Sequence, residues 1–453
     1  MKIVLIGAGS AQFGLGTVGD IFQSTVLKNA HIVLVDINEK ALNQVLQKTK
    51  NHIERHRLPF TISATISTKE ALKKADFVII SIEAGNRFEL WDMDWKIPLQ
   101  YGIRQVYGEN GGAGGLFHAL RITPSIIDIC ADVERLCPDA FVFNYSNPMT
   151  AITTTVLRKF PGLKFIGLCH EITSLRRYIP NMLGVPYEDL RLRAGGLNHL
   201  SVLVEAHYRD SGRDAYPEIL EKAPGFLERA VGYSDLLKVY RENGKLTETE
   251  GVAKPFTEDI KESAYSWADR KLFKLILTKY NLFPITVDSH LGEYIHWAHS
   301  VVDHRGILDF YDLYRSQLAN SRDIEIASEV RERVIPIMEG IVEDSGYEES
   351  AVDILNDGYI PDLPSWLAVE VPAFVTAKGV TGIPFRSYPK GFAALLRNYS
   401  GVYDLTAEAV LTGRRDYVIQ ALLANPVVTD VTHIDEMVDI MIERQRPWLD
   451  YIK

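Results

Sequence analysis

The sequence predicts an α/β protein whose N-terminal part is a doubly wound parallel sheet. Two observations support this fold class: short apolar runs recur along the first part of the chain, and helix-length segments separate them. Strands of a parallel sheet are covered by helices on both faces, so they are apolar throughout. The predicted strands are residues 2–6, 31–36, 77–81, 141–145 and 164–169.

The pattern changes after residue 185. Segments 189–193 and 200–208 alternate between apolar and polar residues, which is typical of strands with one buried face, and 216–345 has helical periodicity. No linker-like tract separates the two parts, so we expect two closely packed domains, residues 1–185 and 186–453. The last predicted elements are a loop entering a strand at 359–375 and helices at 387–400, 403–424 and 431–447.

The composition restricts the class of protein. Of 453 residues, 46% are hydrophobic and 24% charged, which is typical of a globular chain, and the net charge of −10 argues against a nucleic-acid partner. The first apolar run breaks at Gly7, too early for a signal peptide or a membrane span, so we expect a cytoplasmic protein with no membrane partner. Three cysteines are too few for a disulfide framework.

A glycine-containing turn follows the first predicted strand. Gly7 and Gly9 lack side chains, so backbone N–H groups can approach a pyrophosphate, although Gln12 stands where a third glycine is usual. Asp36 ends the second strand, where a carboxylate binds the adenosine ribose and repels a 2′-phosphate, so NAD is favoured over NADP. The residues expected to bind it are Gly7, Gly9, Ser10, Phe13, Asp36 and Asn144.

Polar residues gather at the ends of later strands, where open α/β sheets bind ligands. Five glycines occupy residues 108–115, before a predicted helix, and Asn-Pro-Met ends at residue 149. Cys169 follows the fifth strand, and His199 comes thirty residues later. A thiolate and an imidazole suit one divalent metal, but a lone cysteine in such a strand is more often a small buried side chain, and spacing alone does not decide between the two.

These motifs together resemble glycoside hydrolase family 4, the NAD- and divalent-metal-dependent glycosidases. The resemblance implies a Rossmann-type sheet followed by a lactate/malate-dehydrogenase-like α+β domain, a homodimer or homotetramer, and Mn²⁺ bound by Cys169 and His199. The segments that carry it are Gly-Ala-Gly-Ser at 7–10, Gly-Gly-Leu-Phe-His-Ala-Leu-Arg at 114–121, Asn-Tyr-Ser-Asn-Pro-Met at 144–149, Gly-Leu-Cys-His at 167–170, Gly-Leu-Asn-His at 196–199 and Val-Glu-Val-Pro at 369–372.

The resemblance also implies a redox route to bond cleavage: oxidation of the sugar at C3 by NAD⁺, removal of the C2 proton, β-elimination, water addition and re-reduction. His170 is the expected proton acceptor at the C3 hydroxyl. Tyr265 and Asp269 are alternative bases for the C2 proton, four residues apart on a predicted helix over 261–270. Glu109 is expected to hold a substrate hydroxyl or assist the leaving group.

The residues after the metal cysteine, Cys-His-Glu-Ile at 169–172, resemble those of the α-galacturonidase members. We therefore expect hydrolysis of α-galacturonides from pectin. The alternatives are an α-glucuronidase, a neutral α-glucosidase or α-galactosidase of the same family, and a lactate/malate-type dehydrogenase. The residues expected to bind the sugar are Asn147, Asn198, Arg87 and Arg270.

Overall fold

A computed structural model of the chain describes residues 1–10, 13–244, 267, 269–318 and 330–453. One continuous sheet of eleven strands runs through it, in the order β3-β2-β1-β4-β5-β6-β9-β10-β7-β8, with β11 paired to β10. The strands are β1 Lys2–Ile6, β2 His31–Val35, β3 Thr61–Thr65, β4 Phe77–Ile80, β5 Phe141–Asn144, β6 Lys164–Gly167, β7 Leu190–Leu197, β8 Leu200–Tyr208, β9 Tyr347–Leu355, β10 Ala368–Thr376 and β11 Gly379–Gly382.

Helices cover the sheet. Among the described residues they are α1 Phe13–Gln23, α2 Glu39–His56, α3 Thr68–Leu72, α4 Arg87–Gln100, α5 Gly112–Leu136, α6 Met149–Lys159, α7 Thr173–Leu183, α8 Tyr216–Arg229, α9 Tyr233–Asn243, α10 Lys271–Lys279, α11 Asp288–Leu291, α12 His304–Leu318, α13 Val334–Glu343, α14 Lys390–Thr412, α15 Arg415–Ala424, α16 Ile434–Arg444 and α17 Arg446–Leu449. None of these helices has the length and hydropathy to cross a bilayer.

The first six strands form the parallel half of the sheet, and the five predicted ones are all present. Strands β1, β4 and β5 are almost wholly buried, as strands covered on both faces must be. The sequence analysis missed β3, Thr-Ile-Ser-Ala-Thr, because an edge strand that is only partly buried lacks a continuous apolar run. The carboxyl ends of these strands meet at one edge of the sheet.

The antiparallel half joins the parallel half through β6 and β9, where Gly167 pairs with Asp353. Strands β10, β7 and β8 follow, so the turn between β7 and β8 returns close to the end of β6. The C-terminal helices then pack back onto the first half: Met437 and Met441 share a hydrophobic core with Phe117 and Leu120. One sheet therefore spans the expected boundary at residue 185.

Helix α14 departs from the sequence prediction. The pattern predicts two helices, 387–400 and 403–424, but the chain continues as one helix from Lys390 to Thr412. Gly401 lies inside it with open space around its α-carbon, and Tyr399 and Tyr403 on either side are buried in the core. Tertiary packing of these rings outweighs the weak helix propensity of Ser400-Gly401.

Candidate active site

The turn after β1 is held by the neighbouring strand. Gly7 has φ of 90°, and the N–H groups of Gly7 and Ala8 donate to the carbonyl of Val35 at 2.9 and 3.0 Å. The N–H of Gly9 donates to Oδ2 of Asp36 at 2.8 Å. A Cβ on Gly9 would lie 2.7 Å from that carboxylate, so the turn needs glycine there.

Gly14 supplies the close contact that the usual third glycine makes. A Cβ on Gly14 would lie 2.2 Å from the carbonyl oxygen of Ala8. Helix α1 can therefore approach the turn this closely only with glycine at position 14. The sequence analysis judged the fingerprint weakened because Gln12 occupies the expected position. The structure places the contact two residues later, which restores helix packing against the turn.

A cavity of ≈ 550 Å³ opens at the carboxyl ends of the parallel strands. It begins at the glycine turn with Ser10 and Phe13 and ends at Cys169 and His199. Its lining includes six aromatic rings of Phe and Tyr, three carboxylates and three imidazoles. The other lining residues are Ser81, Arg87, Tyr107, Glu109, Tyr145, Asn147, His170, Glu171, Tyr233, His290, Phe310, Leu313, Tyr314 and Glu332.

The sulfur of Cys169 lies 3.6 Å from Nε2 of His199. Cys169 follows β6, and His199 lies in the tight turn between β7 and β8, with φ of 140°. Nδ1 of the same ring is 2.9 Å from the amide Nδ2 of Asn110, a contact that holds its orientation.

Burial governs the ionisation of this pair. It raises the pKa of the Cys169 thiol well above its usual value, with the carboxylates of Glu171 and Glu370 adding to the effect. Burial also lowers the pKa of His199 well below its usual value, so its imidazole is neutral. A divalent cation would replace the thiol proton and take a lone pair from the ring, so this donor set fits a metal ion.

Two further ionisable residues surround the pair. Oε1 of Glu171 lies 3.8 Å from Nε2 of His199 and accepts a short hydrogen bond from the Thr286 hydroxyl. Nε2 of His290 lies 3.5 Å from the same oxygen and 3.9 Å from Oε2 of Glu109. The sequence analysis missed His290, because α11 has four residues and carries no motif.

Glu109 is fixed by two donors. Its Oε1 accepts from Nη2 of Arg87 at 2.6 Å and from Nδ2 of Asn147 at 3.0 Å. Arg87 also donates to the hydroxyl of Tyr314 at 2.7 Å and stacks over Trp91, 4.1 Å from its ring centroid. Burial alone would lower the pKa of Arg87, but Tyr314, Glu109 and Glu83 raise it, so the guanidinium stays charged.

His170 lines the cavity beside Cys169 and His199. Its Nε2 lies 2.9 Å from Oε2 of Glu332, and its ring stacks on Tyr145 with centroids 5.3 Å apart. The Glu332 carboxylate raises the pKa of His170. Tyr145 in turn contacts Phe13, so this wall connects the glycine turn to the residue after Cys169.

Two models of known protein families match this chain. Residues 2–185 match the model of the "Family 4 glycosyl hydrolase" and residues 194–428 that of the "Family 4 glycosyl hydrolase C-terminal domain". The chain belongs to glycosyl hydrolase family 4. This confirms the family, the fold class and the enzyme class predicted from the sequence, and it sets aside the dehydrogenase alternative.

Relatives within family 4 differ in the sugar they act on. An α-glucosidase of Erwinia rhapontici is 57% identical over 452 residues, covering 100% of this chain and 99% of its own. An α-galacturonidase of Bacillus subtilis is 28% identical, covering 94% and 93%. A crystal structure of a 6-phospho-α-glucosidase from gut microorganisms, in complex with NAD and Mn²⁺, has a TM-score of 0.76 at 20% identity and covers 98% of both chains.

Several of the residues predicted from the family 4 motifs line the cavity: Ser10, Phe13, Arg87, Glu109, Asn147, Cys169, His170 and His199. Asn144 does not line it. The side chain of Asn144 is buried and contacts the backbone of Ser146 through both polar atoms, at 2.9 and 3.2 Å. Asn198 is buried, and its Nδ2 donates to Oε2 of Glu370 at 3.0 Å.

Arg270 lines a smaller neighbouring cavity of ≈ 250 Å³ that shares His170, Glu171 and His290 with the larger one. Its Nη2 donates to the hydroxyl of Tyr178 at 3.0 Å and to the carbonyl of Val231 at 3.1 Å. These contacts occupy Nη2, whereas Nε is buried without a hydrogen-bond partner, so sugar binding by Arg270 stays a prediction.

The predicted helix over 261–270 is wrong at its end. Trp267 and Asp269 lie in turns directly before α10, so Asp269 is not on a helical face. Its buried carboxylate accepts from the N–H of Tyr233 at 2.8 Å and does not line the larger cavity. Tyr265, the alternative base, lies outside the described residues.

Proposed function

We propose that this family 4 enzyme is an α-glucosidase acting on neutral α-glucosides, with NAD and Mn²⁺ as cofactors. The observation that carries the proposal is the 57% identity, over essentially the full length, to an α-glucosidase. The α-galacturonide predicted from Cys-His-Glu-Ile has weaker support, because the α-galacturonidase relative is only 28% identical. The neutral-sugar alternative weighed in the sequence analysis therefore replaces it.

The charge of the cavity supports a neutral sugar. Three carboxylates line it: Glu109, Glu171 and Glu332. Among the described lining residues Arg87 is the one guanidinium, and its contacts are Glu109, Tyr314 and Glu83. In this cavity a uronate or a phosphorylated sugar would meet these carboxylates while Arg87 is already paired, which disfavours it in a partly desolvated site; Arg177 and Arg270 line only the neighbouring cavity.

The cofactors are supported by the residues present. The glycine turn, Gly14 and Asp36 would hold NAD, and Cys169 with His199 would hold the divalent ion. When bound, NAD⁺ supplies a reversible hydride acceptor and the ion supplies a Lewis acid. The 6-phospho-α-glucosidase of the same fold was crystallised with both.

The chain's own residues would bind the sugar and move protons. Glu109, held by Arg87 and Asn147, presents Oε2 to a sugar hydroxyl as an acceptor. The His170–Glu332 pair can hold a proton at Nε2 and accept or release it as the sugar is oxidised and reduced. Aromatic rings of the wall, including Tyr107 and Phe310, exclude water from one face.

The test is a substrate panel with NAD⁺, Mn²⁺ and a thiol reductant present. An α-linked glucose disaccharide, the matching α-galactoside, an α-galacturonide and a 6-phospho-α-glucoside are compared by kcat/KM. We expect the α-glucoside to lead by at least about tenfold, equivalent to ~1.4 kcal/mol of transition-state discrimination. Faster release of galacturonate would overturn the proposal and restore the motif-based specificity.

A further inference from the structure

We propose that Glu171 is a third protein ligand of the divalent ion held by Cys169 and His199. One ligand atom from each of the three residues lies within 4.8 Å of the other two. Nε2 of His199 is 3.6 Å from the sulfur and 3.8 Å from Oε1 of Glu171. The proposal concerns the metal site that the proposed function uses.

These separations match those of atoms that share one metal ion. Nitrogen and oxygen ligands lie about 2.0–2.2 Å from a first-row divalent ion and sulfur lies about 2.3 Å away, so neighbouring ligand atoms are roughly 3–4 Å apart. Cys169 and Glu171 are two residues apart after β6. The backbone N–H of Glu171 is directed at the sulfur, so one short segment presents both donors.

The carboxylate of Glu171 lacks a cation. Its Oε2 is buried without a hydrogen-bond partner, and Oε1 accepts from Thr286. No described lysine or arginine forms an ion pair with it; the nearest ionisable groups are the imidazoles of His199 and His290, and burial lowers the pKa of both rings. An ionised carboxylate buried in this way is costly unless a positive charge compensates it, and a divalent ion at the neighbouring ligands provides that charge.

Glu109 is the competing carboxylate, because it groups with His199 and His290. Its charge is already compensated: Oε1 accepts from Nη2 of Arg87 at 2.6 Å and from Nδ2 of Asn147 at 3.0 Å. Moving Glu109 onto the ion would leave the Arg87 guanidinium without this partner. The observations therefore favour Glu171 as the ligand and leave Glu109 to the sugar.

His290 and Thr286 would orient the third ligand. The hydroxyl of Thr286 donates to Oε1, and Nε2 of His290 lies 3.5 Å from it. Such outer contacts fix ligand orientation at metal sites. With a thiolate and a carboxylate bound, the ion's formal charge is balanced, so the centre does not attract anionic sugars. This deepens the neutral-sugar proposal.

The test is calorimetric titration of the NAD-loaded enzyme with Mn²⁺, without sugar, followed in parallel by the electron paramagnetic resonance signal of free Mn²⁺. We expect Glu171→Gln to weaken Mn²⁺ binding by at least about 50-fold, within the range seen when metal-site groups are removed. Glu109→Gln, the matched control in the same cavity, should stay within about threefold of wild type. Wild-type-like binding by Glu171→Gln, or an equal loss in Glu109→Gln, would overturn the proposal.

Two further measurements keep folding and function apart. Thermal unfolding of metal-free Glu171→Gln should match or exceed that of metal-free wild type, because the variant removes an unpaired buried carboxylate. Glu171→Asp keeps a shorter carboxylate and should bind Mn²⁺ with intermediate affinity; binding no better than that of Glu171→Gln counts against the inference. Since no sugar is present, failure of the α-glucosidase assignment leaves these results unaffected.

Discussion

The sulfur of Cys169 and Nε2 of His199 lie 3.6 Å apart, although thirty residues separate them in the chain. Strand β6 ends just before the cysteine, and the turn from β7 to β8 carries the histidine. Strands β6 and β7 are not neighbours, because β9 and β10 lie between them in the sheet order. The close approach of Cys169 and His199 therefore depends on correct joining of the parallel and antiparallel halves.

Replacement of the cysteine tests this relationship. Cys169→Ser should lower kcat/KM by at least about 100-fold, since a serine hydroxyl does not ionise at neutral pH and is a poor replacement for a thiolate. In wild type, saturating Mn²⁺ should raise the unfolding temperature, because a ligand that binds only the folded state stabilises it. The variant should show a much smaller rise. Equal rises in scanning calorimetry would exclude Cys169 as a ligand.

The contact between Gly14 and Ala8 can be tested with a control in the same helix. Gly14→Ala should destabilise the fold by about 1–3 kcal/mol and weaken NAD binding, because its Cβ would lie 2.2 Å from a carbonyl oxygen. Gly16→Ala has nothing within 4 Å and should gain about 0.5–1 kcal/mol from helix propensity. Denaturant unfolding and NAD titration measure both. A neutral Gly14→Ala would contradict the packing argument.

The sequence predicted what depends on local pattern. Continuous apolar runs identify buried strands, so the strands of the parallel half could be predicted from the sequence. Cys169 and His199 lie in motifs at strand ends, so the proposed metal ligands could be predicted as well. Glu332 and His290 could not. His290 lies on the four-residue helix α11 and Glu332 lies in the segment before α13, both more than a hundred residues downstream of Cys169, and their contacts leave no local periodicity.

Asp269 and Gly14 show opposite errors of the sequence prediction: a helix was predicted at Asp269 where there is a turn, and the packing role of Gly14 was not predicted. A four-residue spacing predicted a helical face for Asp269, but Asp269 itself lies in a turn and its carboxylate accepts from the backbone N–H of Tyr233. A fixed fingerprint underrated Gly14, whose role follows from a distance that sequence does not contain. The α-galacturonide prediction has weaker support than the α-glucoside alternative for a similar reason: the residues after the cysteine describe one wall, whereas the charge of the cavity comes from several elements.

Asp36 is expected to set the choice between NAD and NADP. Its Oδ2 accepts from Gly9 and its Oδ1 from the N–H of Asn38, both at 2.8 Å, so the carboxylate also shapes the turn. Asp36→Asn should weaken NAD binding about tenfold, or ~1.4 kcal/mol, and reduce the preference over NADP, because the repulsion of a 2′-phosphate disappears. Titration with both dinucleotides measures the ratio. An unchanged ratio would assign selectivity to another residue.

Arg121 lies in the glycine-rich motif but belongs to the core. Its guanidinium donates to both oxygens of Asp94, at 2.7 and 3.1 Å, and to Gln445 at 2.7 Å, with both charged side chains fully buried. Arg121→Met should cost about 3–5 kcal/mol in the free energy of unfolding, because it leaves the Asp94 charge buried and unpaired. KM of the folded fraction should not change.

A control on the same helix separates burial from charge. Arg135→Gln removes a guanidinium that is 61% exposed and paired with Asp132 at 2.7 Å, so unfolding should change by less than about 0.5 kcal/mol. The double variant Arg121→Met/Asp94→Leu should recover much of the lost stability, since it removes both buried charges together. If Arg121→Met instead raised KM while leaving stability intact, this arginine would act on the sugar and not in the core.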